Sequence, residues 1–415
     1  MRILMTHWLY PPEFTGAGLQ GHRLGKELQR LGCFVRVLSG THEKGLVGID
    51  EYEGIIVERV LRNRLSPFGR LSYGYALYRA VKEYAPKFEI VHAHGFHPQV
   101  NLAASAAKLP LITKLTNQRL DGPAAINRRR FGRLHTSIFN LADAFVATSQ
   151  DLAEQCLAAG LPEEKIVRIP NGVDTELFRP VTNEEKLRLR QRFHSADDKV
   201  ILLTVGSVEF RKGLDLLLRA LHALEPASRE RIRLWVVGPL DAGELAGEMQ
   251  IGTHLFVQQV RRMIREFGLE DTVRFMGRQQ NVHEYMAAAD IYVHPSRVEG
   301  QPNAVLEAMA CGLPVAANRL PGITDEILQN GRYGLLVDAE NSALFAAALR
   351  VLINNPSLRQ RIGSRAVEHI ARHFSIESIA QRYVSLYSSL VHKRTFDELR
   401  SRKGWSHMPL RAGRL

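Results

Sequence analysis

At 415 residues the chain is too long for one hydrophobic core, and two domains of roughly 200 residues each are expected. Hydrophobic residues make up 45% and charged residues 24%, an ordinary globular balance, and no apolar run reaches the ~18 residues of a membrane span. The net charge of +12 would suit nucleic acid, but no nucleic-acid motif accompanies it; an anionic membrane surface, phosphorylated substrates or a merely solvated basic surface account for it as well.

In chain order, short β-rich runs alternate with helix-length amphipathic segments, the pattern of parallel sheets with crossover helices. Strands are expected at Arg2–Thr6, Phe34–Leu38, Ile55–Val60, Ile90–Ala93, Leu111–Lys114, Ala144–Thr148 and Ile166–Ile169, with a helix at Gly18–Leu31. A second set follows at Val200–Val205, Arg233–Val237, Val273–Met276, Ile291–Val293, Val315–Ala317 and Gly334–Val337, with helices at Lys212–Leu224 and Leu344–Asn354. Two such sets read as two Rossmann-like domains. Pro180 and the Asn171-Gly172 turn put the boundary near 179, giving domains 1–179 and 180–373. A final helix is expected at Ile376–Leu390, within a segment 374–391. The basic tail 392–415 holds seven Lys and Arg against two acids and reads as poorly ordered. Other basic clusters are Arg62, Arg64 and Arg70, and Arg128 to Arg130 with Arg133. Cys33, Cys156 and Cys311 are too widely spaced for a disulfide framework or a CxxC zinc site. The N-terminus leads straight into a strand without a signal-peptide pattern. The cytosol is the expected compartment.

Four segments carry chemistry. From Ser296 to Pro314 a loop bearing Glu299 and Gly300 runs into a helix expected at Pro302–Cys311, with Gly312 and Pro314 as its stop. The first amides, around Ala304 and Val305, would lack helical acceptors and favour an anion such as a diphosphate, while Glu307 could accept from ribose hydroxyls. The alternative is a buried helix with one capping carboxylate. Val205-Gly206-Ser207-Val208-Glu209-Phe210-Arg211-Lys212-Gly213 ends a strand and opens a helix, placing Arg211 and Lys212 where ligands bind in open α/β sheets. There they can neutralise a diphosphate; otherwise they are a surface pair. Tyr10 to Gly18 is a loop after the first strand, with Gly16 as a backbone approach point. Gly16 to Gly21 also spells GxGxxG, but it does not follow its strand directly and strand two ends without an acid, which disfavours a dinucleotide fold. Val91-His92-Ala93-His94-Gly95-Phe96-His97 ends another strand; no carboxylate or cysteine within this segment completes a metal set. Thr324 reads as a helix N-cap.

The Ser296–Pro314 string resembles the E-x7-E signature of glycosyltransferase family 4 in its "EGxPNxxLEAMACGxPV" form. The stretch Ile169–Pro180 resembles that family's "IPNGVDxxxFxP" segment, Tyr10–Gly18 its "YPP…GG" loop, Val91–His94 its "VHxH" strand end and Pro321–Ile327 its "GGxPE" loop. Lys212-Gly213 matches the family's lysine-glycine, whereas Ser207 stands at the usual arginine and Ala17 at the usual second glycine. The resemblance covers about residues 1–390. It implies an α/β GT-B protein, two Rossmann-like domains facing across a cleft, the donor nucleotide in the second and the acceptor mainly in the first. It implies a retaining glycosyltransferase moving a hexose-type sugar from a nucleotide-diphosphate sugar to a glycan or lipid-linked acceptor, in cell-surface polysaccharide or glycolipid synthesis. Lys212, Glu299, His94 and Arg211 would be catalytic. Gly16, Gly206, Lys212, Gly300, Asn303, Ala304, Val305, Glu307 and Asn171 would bind the donor. His92 and His97 would be structural. No D-x-D pair is present, and with Lys212 and helix amides available no metal or cofactor is expected. The rivals are a nucleotide-sugar epimerase, a phosphorylase and a non-catalytic or partner-dependent GT-B subunit. A basic first domain and tail would suit peripheral binding at the inner membrane face.

Overall fold

A computed structural model describes residues 1–13, 15–62, 67–115, 126, 132–195, 198–240 and 250–402, without the side chains of 67, 68, 70, 250–252 and 395–402. Of the basic residues singled out above, Arg64, 128–130 and the tail from 403 lie outside it, as do the side chains of Arg70, Arg400 and Arg402. The chain forms two compact units: Met1–Ala147 with Cys156–Ile169 and the chain from Ala380, and Thr148–Gln155 with Pro170–Ile379.

Among the described residues the first unit is built on eight strands: β1 (Arg2–His7), β2 (Phe34–Thr41), β3 (Gly48–Tyr52), β4 (Ile55–Leu61), β5 (Ile90–His94), β6 (Leu111–Lys114), β7 (Ala144–Ala147) and β8 (Ile166–Arg168). Their order is β3-β4-β2-β1-β5-β6-β7-β8, parallel except for the β3–β4 hairpin. The order reverses between β1 and β5, opening a crevice beyond their carboxyl ends. β3 was missed from sequence because Gly48-Ile49-Asp50-Glu51 is exposed and lacks an apolar face.

The second unit carries six parallel strands, β9 (Val200–Val205), β10 (Ile232–Val237), β11 (Val273–Gly277), β12 (Ile291–His294), β13 (Val315–Asn318) and β14 (Gly334–Val337). They run in the order β11-β10-β9-β12-β13-β14, so the switch point lies between β9 and β12. Alternate residues serve opposite faces: Leu202, Leu234 and Val236 enter one buried cluster, and Ile201, Leu203, Trp235 and Val237 the other. Burial on both faces explains the near-continuous apolar strands.

Several boundaries differ from expectation. The chain changes unit at Ile169–Pro170, not at 179, because Val173 donates to Phe374 O at 2.7 Å and Ile376 N to Val173 O at 2.8 Å. Thr148–Gln155 joins the second unit through Gln150 N to Glu326 (2.8 Å) and Asp151 N to Gly322 O (3.3 Å). The last helix runs Ile376–Arg402, well past Leu390, since no glycine or proline interrupts it before Gly404. Thr324 is not the N-cap of its helix. Ile323 holds that place, and the Thr324 hydroxyl instead accepts from Leu320 N and donates to Asn318 O, at 2.8 and 2.6 Å.

Candidate functional site

The second unit gathers most of the expected residues at its switch point. β9 ends at Val205, and Gly206 turns the chain at φ 148°, a conformation open to glycine; a side chain there would meet the Lys212 stem at 3.3 Å. A 3₁₀ turn, Phe210–Lys212, follows, and the helix begins only at Leu214, so Lys212 sits on the loop and not in the helix. Gly213 makes this possible. It is left-handed (φ 69°), and a Cβ on it would lie 2.1 Å from Pro295 O. The loop is therefore pressed against the exit of β12, and the two are laced together. Arg297 N donates to Arg211 O at 2.8 Å, and the Arg297 guanidinium grips both Asp215 oxygens at 2.8 Å.

Between these loops lies a charge cluster. Lys212 Nζ donates to Glu299 Oε1 at 2.6 Å, and Arg211 reaches Glu299 Oε2 at 3.3 Å and Glu209 Oε1 at 2.6 Å. Ser207 Oγ donates to the same Glu209 oxygen at 2.9 Å. Glu299 is buried, 7% exposed. Burial would raise its carboxyl, but Lys212, His294 and Arg211 outweigh that and hold it at about 2. His294, at the end of β12, lies 3.5 Å from Glu299; burial pushes it down to about 4, so it is neutral at neutral pH. With Gly206, Ser207, Lys212 and Ser296 it lines a recess.

The next helix, Asn303–Ala310, starts beside this cluster with Pro302 as its cap. Asn171 is tied to that start: its amide donates to Gln301 Oε1 at 2.6 Å and its Nδ2 to Asn303 Oδ1 at 2.7 Å. Gly300 and Glu307 are buried, and Ala304 is half-buried. One expectation fails here. The Val305 amide does not point outward but turns back to Pro302 O at 3.0 Å, because the pre-helical carbonyl is within reach. Sequence reasoning missed Glu209, Asp215, His294 and Arg297. The only signal was polarity beside a glycine or proline loop.

In the first unit, Gly16 opens the Gly16–Arg30 helix, exposed and capped by Thr15. His94, at the end of β5, is 2% exposed between the rings of His7 (4.0 Å) and His92 (4.3 Å). His92 bonds Tyr387 Oη at 2.7 Å and His97 bonds His94 O at 3.2 Å, structural contacts both. Burial, and then neighbouring basic groups, hold His94 well below its usual range, so it is neutral. Among the described residues no three His, Cys, Asp or Glu side chains form a metal set.

Two doubly wound α/β units, each with polar side chains beyond its switch point, define a two-domain Rossmann-type protein of the GT-B class. In the Anabaena protein HepE, solved with UDP-glucose, the same fold covers 94% of this chain and all of that one (TM-score 0.75, 24% identity). Residues 185–369 match the profile of glycosyl transferases group 1 and residues 14–177 that of glycosyltransferase family 4. A D-inositol 3-phosphate glycosyltransferase of Geodermatophilus obscurus is 30% identical over 74% of this chain and 67% of its own. One from Catenulispora acidiphila is 33% identical over 64% of this chain, which spans 59% of it. The N-acetyl-alpha-D-glucosaminyl L-malate synthase of Bacillus anthracis is 24% identical over 92% and 95% of the two chains. The chain belongs to this family of glycosyltransferases.

Proposed function

We propose that the chain is a retaining hexosyltransferase that uses a nucleotide-diphosphate sugar and delivers it to a glycan or lipid-linked acceptor, in cell-surface polysaccharide or glycolipid synthesis. The observation that carries the donor reading is Lys212, held on a glycine-flanked loop at the β9/β12 switch point and hydrogen-bonded to Glu299. Departure of a nucleoside diphosphate builds negative charge there. Lys212, Arg211 and the Ala304 amide are the groups that would stabilise it. Glu299 stays ionised through most of the pH range and can exchange Lys212 for donor-sugar hydroxyls as the diphosphate draws the ammonium away. Glu307 would take the ribose, and Gly206, Gly300 and Asn303 let backbone and amide groups close on the donor. Asn171 acts by holding Asn303. In the first unit Gly16 and His94 would face sugar and acceptor. Attack from the side the leaving group departs needs this charge stabilisation more than a dedicated protein base, so no metal or cofactor is invoked.

HepE was solved with UDP and UDP-glucose, which makes UDP-sugars the first donors to try. A thermal-shift and hydrolysis screen over UDP-, GDP- and ADP-sugars tests the reading. Stabilisation and turnover by a single donor are expected. Silence from all of them would overturn it in favour of a partner-dependent or non-catalytic subunit.

An anionic membrane is the second proposed partner, in keeping with work at the inner face of the cell membrane. On the Pro67–Tyr84 helix, Leu71 and Tyr75 are 71% and 68% exposed, and Arg79 and Lys82 continue the same stripe outward. No helix among the described residues is long and apolar enough to cross a membrane. Co-sedimentation with phosphatidylserine vesicles at low salt is expected, and its absence would remove this partner.

A further inference from the structure

The polar groups beyond the first sheet are more numerous than one sugar-facing histidine requires. β1, β5 and β6 run parallel and in register, with Met5 opposite His92 and His94 opposite Lys114. His7, two residues after Met5, therefore falls beside His94, and their rings lie 4.0 Å apart. His7, His94 and Lys114 thus form one row on one face, across the last positions of three adjacent strands. They are 1%, 2% and 3% exposed.

The row is not satisfied from within. His7 Nε2 and both ring nitrogens of His94 are buried without a hydrogen-bond partner among the described residues. Lys114 lies over the Tyr383 ring at 5.6 Å but has no ion pair among them, and none of the groups acting on His7, His94 or Lys114 is a carboxylate. The nearest cover is tight: a Cβ on Gly21 of the Gly16–Arg30 helix would lie 2.0 Å from the His7 ring. Buried polar atoms left without partners are costly, and native folds keep them where something else completes them.

We infer that the His7–His94–Lys114 row receives an oxyanion, a phosphate or carboxylate carried by the acceptor substrate. That it belongs to an acceptor rests on the transferase reading above; that it takes an oxyanion rests on the row. A cationic ligand group would meet an ammonium, and an apolar one would leave the imidazole nitrogens unsatisfied. A sugar hydroxyl would satisfy the imidazoles but leave Lys114 without a counter-charge. An oxyanion does both, because each neutral imidazole can donate one N–H and the ammonium supplies the charge. The low affinity of Lys114 for its proton, about 7 through burial, fits a site whose charge is completed by its ligand.

Calorimetric titration of the full chain with inorganic phosphate, and separately with succinate, in saturating UDP tests this. At least one should bind in the millimolar range. Lys114→Met should weaken it at least tenfold and Lys114→Arg less than threefold. Phosphate alone would mark a phosphorylated acceptor, succinate alone a carboxylated one. Binding of neither, or equal binding by Lys114→Met, would overturn the inference. Should Lys114→Met fail to fold, imidazole ¹⁵N spectra of the wild type decide: the His7 and His94 ring signals move with the anion, or they stay and the inference falls. Anion binding that depends on Lys114 in a protein that turns over no donor would keep the row and refute only the transferase reading.

Discussion

The two sheets set their polar groups at the same topological place and give them opposite electrical designs. Beyond β9 and β12, Lys212 and Arg211 are matched by Glu299 and Glu209 at 2.6–3.3 Å. Beyond β1, β5 and β6, two imidazoles and one ammonium sit without an acid among the described residues. The first arrangement is stable as it stands, and its ligand must compete with Glu299. The second is destabilising on its own, and the oxyanion inferred above would offset that cost. Under the proposed roles, position in the fold would mark where a ligand binds, and the charge balance left by the protein what kind.

The largest test of the contrast is Lys212→Ala. It should lower kcat with the donor found above by about 100- to 1,000-fold, comparable to losing one strong transition-state donor; a near-normal rate in steady-state assays would remove Lys212 from the chemistry. Stability should then separate the two lysines. Lys212→Met leaves Glu299 buried beside one fewer cation and should cost about 2–3 kcal/mol, whereas Lys114→Met removes an unpaired buried charge and should be stabilising by about 1–3 kcal/mol. Urea midpoints moving in the same direction would break the comparison.

The pH dependence sharpens it. Glu299 is held below its unfolded value, so its contribution is complete above about pH 4.5 and is lost as pH falls toward about 2. Lys114 is also lowered, but as a base. The unfolded chain binds the extra proton between about pH 7 and 10.5, so stability rises with pH across that window. Wild type minus Lys114→Met should show that slope in urea titrations, and a flat difference would contradict the burial of a proton-accepting amine. The smallest effect is expected at Glu307→Ala, about tenfold weaker nucleotide binding by calorimetry with kcat nearly unchanged.

Much of the candidate site in the second unit was legible because its residues are close in sequence and punctuated by glycine and proline. Gly206 to Gly213 and Glu299 to Glu307 are each a single loop with its flanking element. The Arg297–Asp215 clamp spans 82 residues and left no local trace. In the first unit His94 was legible as a strand end. His7 and Lys114 were not, because their adjacency is created by strand register, with β5 inserted between β1 and β6. The Val305 amide was misjudged for a smaller reason: an eight-residue helix can recover an amide through the carbonyl just before it.

The last helix has a consequence for how the protein is made. Tyr387 seals His92 from below, Arg382 donates to Arg168 O, and Arg394 binds Asp143 at 3.0 Å, all within the first unit. The first unit to leave the ribosome is therefore the one that must wait. With translation at about 5–20 residues per second, roughly 10–40 s pass between the emergence of Ile169 and of Ala380. Throughout that interval the first sheet lacks the Tyr387 contact that the last helix brings to His92.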